Sequence, residues 1–186
     1  MKKYIGSIIK EVIVVVAGIL IALFINTWNE DRKDQKYMDA INIAIHKEFQ
    51  ESVKEIDEKF VLQKKLFDTL RAYQNNNTLS LHDVVRKGGG VYLPSIRINS
   101  WKAIASSKIE LMEYEKVSVL ANIEEGKEVL NMKADKFGDY LYEHSSSTGA
   151  VEKKLALSFL NDLIGTGKAI QQEINKIIER DSLPTQ

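Results

Sequence analysis

The sequence predicts an all-α protein whose N-terminal transmembrane helix continues into a long helix, with a small antiparallel helical bundle packed on the distal half of that helix. Three observations predict this fold. A stretch without ionisable residues lies near the N-terminus, no glycine or proline occurs between Gly18 and Gly88, and apolar residues recur every three or four positions through much of the remaining chain. The predicted segments are a membrane anchor over residues 1–28, a helical post over 29–77 and a distal bundle over 78–186.

The predicted anchor is strongly apolar and nearly long enough to cross a bilayer. Eleven of the seventeen residues from Val12 to Trp28 are Val, Ile, Leu or Phe, and as a helix this stretch is about 26 Å long. A hydrocarbon core is about 30 Å thick, so the flanks must contribute. Lys10 can extend its ammonium to one interface, and Trp28 favours the other. A cleaved signal peptide is disfavoured because no small-residue cleavage site follows, and a buried core helix would need a larger domain around it.

Basic residues on the two sides of the anchor set its expected orientation. The short N-terminal side carries the α-amine, Lys2, Lys3 and Lys10, whereas the cations on the other side lie among acidic residues. Lys and Arg favour the cytoplasmic face. We therefore expect a protein of the bacterial inner membrane that crosses it once, with a cytoplasmic N-terminus and a periplasmic C-terminal domain.

The post is predicted as one amphipathic helix that ends before the polar run at residues 75–78. Its apolar residues, three, four or seven apart, are Met38, Ile41, Ile45, Phe49, Val53, Ile56, Phe60, Phe67 and Leu70. Met38, Phe49 and Phe60 are eleven apart, and an eleven-residue period corresponds to a nearly straight or slightly right-handed stripe. Strict heptads are not evident in this pattern.

The distal segment begins with an irregular stretch and continues as helices. Residues 79–99 contain three consecutive glycines and Pro94, which indicate a flexible connection with one short strand considered over Val91 to Ile98. A brief helix carrying Trp101 is expected next. A helix or helix pair is then expected over residues 110–143, and another over 150–180, with their internal glycines as weak points.

Composition and motifs argue against most kinds of chemistry. The 26 basic and 26 acidic residues cancel, no basic stripe indicates nucleic-acid binding, and the absence of cysteine excludes thiol nucleophiles and Cys-ligated metals. Gly165-Thr166-Gly167-Lys168 resembles the end of a phosphate loop, but Asp162 and Ala169 occupy positions that require Gly and Ser/Thr. The histidines lack the spacing of metal ligands on one helical turn. We predict no catalytic residue, no metal ligand, no cofactor and no enzymatic activity.

Two features within the anchor suggest contacts in the membrane. Gly18 and Ala22 form a small-x-x-x-small pair, which lets two transmembrane helices approach closely. Glu11 lies at the start of the apolar run, where a carboxylate usually has a partner such as Lys10 of a neighbouring chain or a lipid headgroup. Asn26 could add a hydrogen bond between helices or lie among headgroups. Gly6 followed by Glu11 also has the spacing of a prepilin cleavage site, which leaves a pilin-like subunit as a third interpretation.

The N-terminal segment resembles a family of single-pass membrane proteins that is frequent in Bacteroidota and has no established activity. The resemblance rests on Glu11, Gly18, Leu20-Ile21-Ala22, Asn26, Trp28-Asn29-Glu30 and Arg32. A weaker similarity covers residues 100–107 and 109–120, with Lys108 where the family often has glycine. The resemblance implies a membrane anchor and a helical domain but no mechanism.

These observations lead to two main functional hypotheses. The first is a non-enzymatic assembly or interaction subunit whose partners are the lipid bilayer and a second copy of the chain, another membrane protein, or both. The alternative is a membrane sensor or effector in which binding to the bundle is transmitted to the bilayer along the helix.

Overall fold

The computed structural model describes the backbone of residues 2–182 and the side chains of residues 11–180. It confirms the all-α fold, and no strand occurs within these residues. The helices are α1 (Lys2–Ala72), α2 (Leu81–Gly88), α3 (Asn99–Ala105), α4 (Tyr114–Glu143) and α5 (Ala150–Ser182), with a 3-10 turn over Ile109–Leu111 between α3 and α4.

The chain divides within α1 into two compact units. The N-terminal unit is Met1–Asn42, and the C-terminal unit is Ile43–Gln186. The division lies inside the segment predicted as the post, so the last 30 residues of α1, from Ile43 to Ala72, belong to the same unit as the other helices.

Within the C-terminal unit, α4 and α5 run antiparallel. Lys133 Nζ lies 2.8 Å from Asp162 Oδ1, and the Phe137 and Phe159 rings stack at 6.0 Å. Residue numbers therefore fall along α5 as they rise along α4. The loop over residues 144–149 reverses the chain between them, as short connections do in antiparallel bundles.

The same unit places α5 against the last part of α1, again antiparallel. Gln171 Nε2 donates a hydrogen bond to Asp57 Oδ1 at 2.7 Å, and Lys168 Nζ lies 4.2 Å from the Phe60 ring centroid. The chain between α1 and α4 also runs antiparallel to α1, because Tyr92 contacts Gln63 and Arg97 contacts Ser52, which is earlier in α1. The C-terminal unit is thus an up-down-up-down bundle, in which the second leg consists of α2, an extended segment and α3.

Buried positions in this bundle follow a seven-residue spacing. In α5 they are Lys153, Ala156, Leu160, Leu163, Gly167, Ile170, Ile174 and Ile177, and in α1 they are Ile45, Phe49, Ser52, Ile56, Gln63, Leu66 and Leu70. Such spacing is that of a left-handed coiled coil. The predicted eleven-residue period, without heptads, is therefore wrong for the buried face of α1. Two of the inward positions of α1 hold polar residues, Ser52 and Gln63. A search based on apolar residues alone therefore misses the seven-residue repeat.

Helix α2 is fixed at both ends. The Ser80 hydroxyl accepts a hydrogen bond from the Asp83 amide at 3.1 Å and donates one to Asp83 Oδ2 at 2.8 Å, so it caps the N-terminus. At the other end Gly89 has φ 99°, a left-handed conformation that favours glycine. A Cβ on Gly88 would lie 2.6 Å from Leu66 Cδ1 and 3.0 Å from Leu66 Cα, so α2 contacts α1 at a distance that only glycine allows.

Two local predictions require correction, and for a third the structure selects one of the two alternatives that the sequence left open. Residues 91–98 form no strand, because the segment lies against helix α1, which offers no strand edge for a hydrogen-bonded ladder. Helix α4 begins at Tyr114 rather than residue 110, because the 3-10 turn precedes it. Helices α4 and α5 are each continuous through their glycines, since burial along the seam outweighs the cost of about 1 kcal/mol for each glycine.

Candidate functional site: the exposed apolar segment of α1

The N-terminal unit presents a continuous apolar helix surface. Exposure of the large apolar side chains between Val12 and Trp28 ranges from 47% at Val16 to 73% at Phe24. Contiguous apolar surface of this extent is rare on a protein that faces water and marks a membrane or protein contact. Among the described residues, α1 is the single helix long and apolar enough to cross a membrane, and none of its apolar window is buried within the protein.

The predicted packing residues lie on one face of this segment. Gly18 and Ala22 are one helical turn apart, and a Cβ added to Gly18 would meet no atom within 4 Å. Glu11 is seven residues before Gly18, so its side chain projects from nearly the same face. The side chain of Lys10, predicted as an interface anchor, lies outside the described residues. The face around Gly18 is therefore open, with a carboxylate at one end.

The other end of the segment carries polar and aromatic side chains. Asn26 Nδ2 donates a hydrogen bond to Glu30 Oε1 at 3.0 Å within the same helix. The Trp28 ring is exposed and has the Arg32 guanidinium 6.0 Å from its centroid. Together with Ala22, Ile25 and Asn29, Asn26 and Trp28 line a shallow open depression. An aromatic ring beside a cation and an amide is the chemistry that suits a membrane interface.

Two histidines of the C-terminal unit contact neighbouring side chains on their own helix or at its end. His46 Nε2 lies 3.0 Å from Gln50 Nε2 on an exposed turn of α1, and the His144 ring packs 4.5 Å from the Tyr140 ring. Within residues 11–180 no group of three or more His, Asp or Glu side chains is arranged to hold a metal ion.

Neither glycine-rich segment forms a phosphate loop. Gly89 and Gly90 end α2, and extended chain follows them, so no helix N-terminus points at a ligand there. Residues 165–168 lie in the middle of continuous α5, where the Thr166 hydroxyl donates to the Asp162 carbonyl at 2.9 Å.

Glu124 has a role that its sequence context did not indicate. Its Oε2 accepts a hydrogen bond from Trp101 Nε1 at 2.7 Å, and its Oε1 lies 3.4 Å from Lys102 Nζ. Trp101 is only 3% exposed. The residues around Trp101, which carry the weaker family similarity, thus join α3 to α4.

Lys153 is the polar residue of the bundle that sequence reasoning missed. Its side chain is fully buried, and Nζ donates hydrogen bonds to the Asn76 carbonyl and, at 2.9 Å, to the Thr148 carbonyl. The ammonium therefore joins the turn after α1 to the loop before α5. Burial lowers the pKa of Lys153 from 10.5, and the nearby Glu152 carboxylate offsets part of that shift. The available signal was its position in the seven-residue seam of α5.

We expect Lys153→Met to change how stability depends on alkaline pH. Because the pKa of Lys153 is lower in the folded protein than 10.5, the unfolded chain binds more protons at any pH between these two values. The contribution of Lys153 to folding stability therefore increases as pH rises towards 10.5 and is lost as pH falls through the folded-state pKa. The stability of the original chain relative to Lys153→Met should therefore increase with pH in urea unfolding followed by circular dichroism. Tyr140, whose pKa is raised mainly by burial, has the opposite dependence but is present in both chains and cancels.

Lys154→Met is the matched control for this measurement, since Lys154 follows Lys153 in the sequence and its own side chain is exposed. Its stability difference from the original chain should stay constant with pH. The same pH dependence in both variants would contradict the assignment to Lys153.

Comparison with known proteins finds no family model, no curated protein and no solved structure that matches this chain. The fold and the exposed segment define an all-α protein that has, within the part of the chain that the structure describes, one helix that could cross a membrane.

Proposed function

We propose that the protein is a single-pass membrane protein that acts as a non-enzymatic assembly subunit. The observation that carries this proposal is the surface of Val12 to Trp28, whose large apolar side chains are all exposed on a helix that the rest of the chain does not cover. Burying such a surface in lipid gains about 25 cal/mol for each Å² removed from water.

Three polar groups of the C-terminal unit join its elements to one another. Glu124 binds Trp101, Lys153 binds two carbonyls, and Tyr140 donates to the Glu152 carbonyl at 3.0 Å. Each of these groups joins elements of the bundle to one another. Their arrangement stabilises a compact helical body that can be displayed to a partner.

The proposed orientation has the N-terminus in the cytoplasm and the bundle in the periplasm of a bacterium, which follows from the basic residues before the anchor. The chain contains no cysteine, so a single introduced thiol reports its own side of the membrane. Tyr142→Cys is suitable because Tyr142 is 85% exposed. A membrane-impermeant maleimide should label it in intact cells whose outer membrane has been permeabilised. Labelling only after lysis would reverse the orientation.

We further propose that copies of the chain associate through the face that contains Gly18 and Ala22. Gly18→Leu combined with Ala22→Leu should reduce cross-linked oligomers in native membranes, because the larger side chains separate the helix backbones. The fraction of cross-linked oligomer should therefore fall relative to the original chain.

Val16→Leu with Leu20→Phe is the matched control, because it adds volume to the opposite face of the same helix. This control should leave the oligomers unchanged. Equal oligomer yields from both double variants would remove the Gly18 face from the assembly proposal while leaving membrane insertion intact.

A further inference from the structure

The extended segment of the second leg is held to α1 at two well-separated points. Near its start, Gln63 Nε2 donates a hydrogen bond to the Tyr92 carbonyl at 2.9 Å. Near its end, the Arg97 amide donates to the Ser52 hydroxyl at 2.9 Å. Gln63 and Ser52 are the two polar residues at inward positions of α1, so they have taken the place of apolar seam residues to hold this segment.

The distance between the two attachments along α1 is close to the length of the segment that joins them. Eleven helical residues from Ser52 to Gln63 correspond to about 16.5 Å along α1. Five residues from Tyr92 to Arg97 correspond to about 16.5 Å of extended chain, close to the full reach of a polypeptide. The segment is therefore largely extended between its two attachments.

Both ends of the segment are firmly attached to other elements. On one side Gly90 N–H donates to the Val85 carbonyl at 3.0 Å, and Gly88 packs against Leu66. On the other side Ile96 and Ile98 are 3% and 2% exposed. Beyond them, the Ser100 amide and hydroxyl donate to Glu48, and Trp101 binds Glu124. Neither end offers loose chain to take up a displacement.

We propose that residues 92–97 act as an inextensible link that couples α2, at one end of the C-terminal unit, to α3 at the other. A movement of α3 along α1 away from α2 cannot be absorbed by the link and must displace α2 or break one of the two attachments. The link thus makes the two ends of the bundle respond together, over about 27 Å of α1 between Glu48 and Leu66. The proposal does not depend on how the protein is anchored or assembled.

The first test changes the length of the link by two residues, which preserves the inward and outward alternation of the extended chain. Deletion of Pro94 and Ser95 should shift the unfolding equilibrium constant of the full-length protein by at least about 100-fold, because both attachments and the buried isoleucines cannot be satisfied together. Insertion of Gly-Ser between Leu93 and Pro94 should shift it by less than about tenfold, since a longer loop costs little. Equal effects of deletion and insertion would show that the segment is slack and would overturn the proposal.

The second test measures coupling between the ends. Gly88→Ala disturbs α2, and Trp101→Phe disturbs α3; in the original chain their effects should be non-additive by at least about twofold in the unfolding equilibrium constant. In the chain carrying the Gly-Ser insertion the two effects should become additive. Additive effects in the original chain, or unchanged coupling after the insertion, would contradict transmission through the link. A Gly-Ser insertion after Ser146, in the exposed loop between α4 and α5, controls for the effect of added chain and should leave the coupling intact.

Discussion

Leu20→Arg combined with Leu23→Arg is expected to release the protein from the membrane. Each substitution replaces a residue that favours insertion with one that opposes it near the helix centre, a change of about 3–4 kcal/mol for each position. The apolar residues of the segment together favour insertion by about 3–7 kcal/mol, so two arginines remove all of it. Membranes extracted with alkaline carbonate should retain the original chain and lose the double variant.

Ile43→Arg combined with Val61→Arg provides the control, because these side chains are 70% and 66% exposed on the same helix but lie in the C-terminal unit. This control should remain in the carbonate-resistant fraction. Retention of the Leu20 and Leu23 variant in that fraction would show that the apolar surface serves another purpose than crossing lipid.

The helices of this protein were largely predictable because their signals are local. The absence of Gly and Pro over 19–87 predicted an unbroken α1, and the polar run at residues 75–78 predicted its end, which the structure places at Ala72. The exposed apolar segment was predictable for the same reason, since the length and apolar composition that a membrane-spanning helix needs occur in one continuous stretch of sequence. Packing on the distal half of α1 followed from its amphipathic pattern.

The second leg was not predictable, because its structure depends on residues distant in sequence. Ser52 and Gln63 are not among the residues of the predicted apolar stripe, yet their side chains bind backbone groups 45 and 29 residues away. A pattern of residue types cannot reveal that an inward polar residue faces an extended chain rather than another helix. The same limit concealed Glu124, whose partner Trp101 is 23 residues away in a different helix.

The glycines show a related limit. Gly88 was read as part of a flexible triplet, whereas its backbone lies so close to Leu66 that a side chain has no room. Gly167 was read as a weak point, but it occupies a buried seam position in α5. Whether a glycine provides flexibility or close contact is decided by its neighbours in space, which composition does not report.

Trp101→Ala is expected to destabilise the C-terminal unit strongly. The indole is 3% exposed and its N–H binds Glu124 at 2.7 Å. Truncating a buried Trp costs about 3–5 kcal/mol through lost contacts and the cavity left behind, a large share of the 5–15 kcal/mol typical of a domain. Urea unfolding followed by far-ultraviolet circular dichroism should show a lower midpoint with an unchanged slope.

Two further substitutions separate the causes of that loss. Trp101→Phe keeps an aromatic ring but removes the donor to the Glu124 carboxylate, and hydrogen bonds to charged groups contribute about 1.5–3 kcal/mol, so its effect should lie between those of the original chain and Trp101→Ala. Tyr114→Ala, at a side chain that is 85% exposed, should change stability by less than about 0.5 kcal/mol. If Trp101→Ala were as mild as Tyr114→Ala, α3 would not be packed against α4. The second leg would then be held by its contacts with α1 alone.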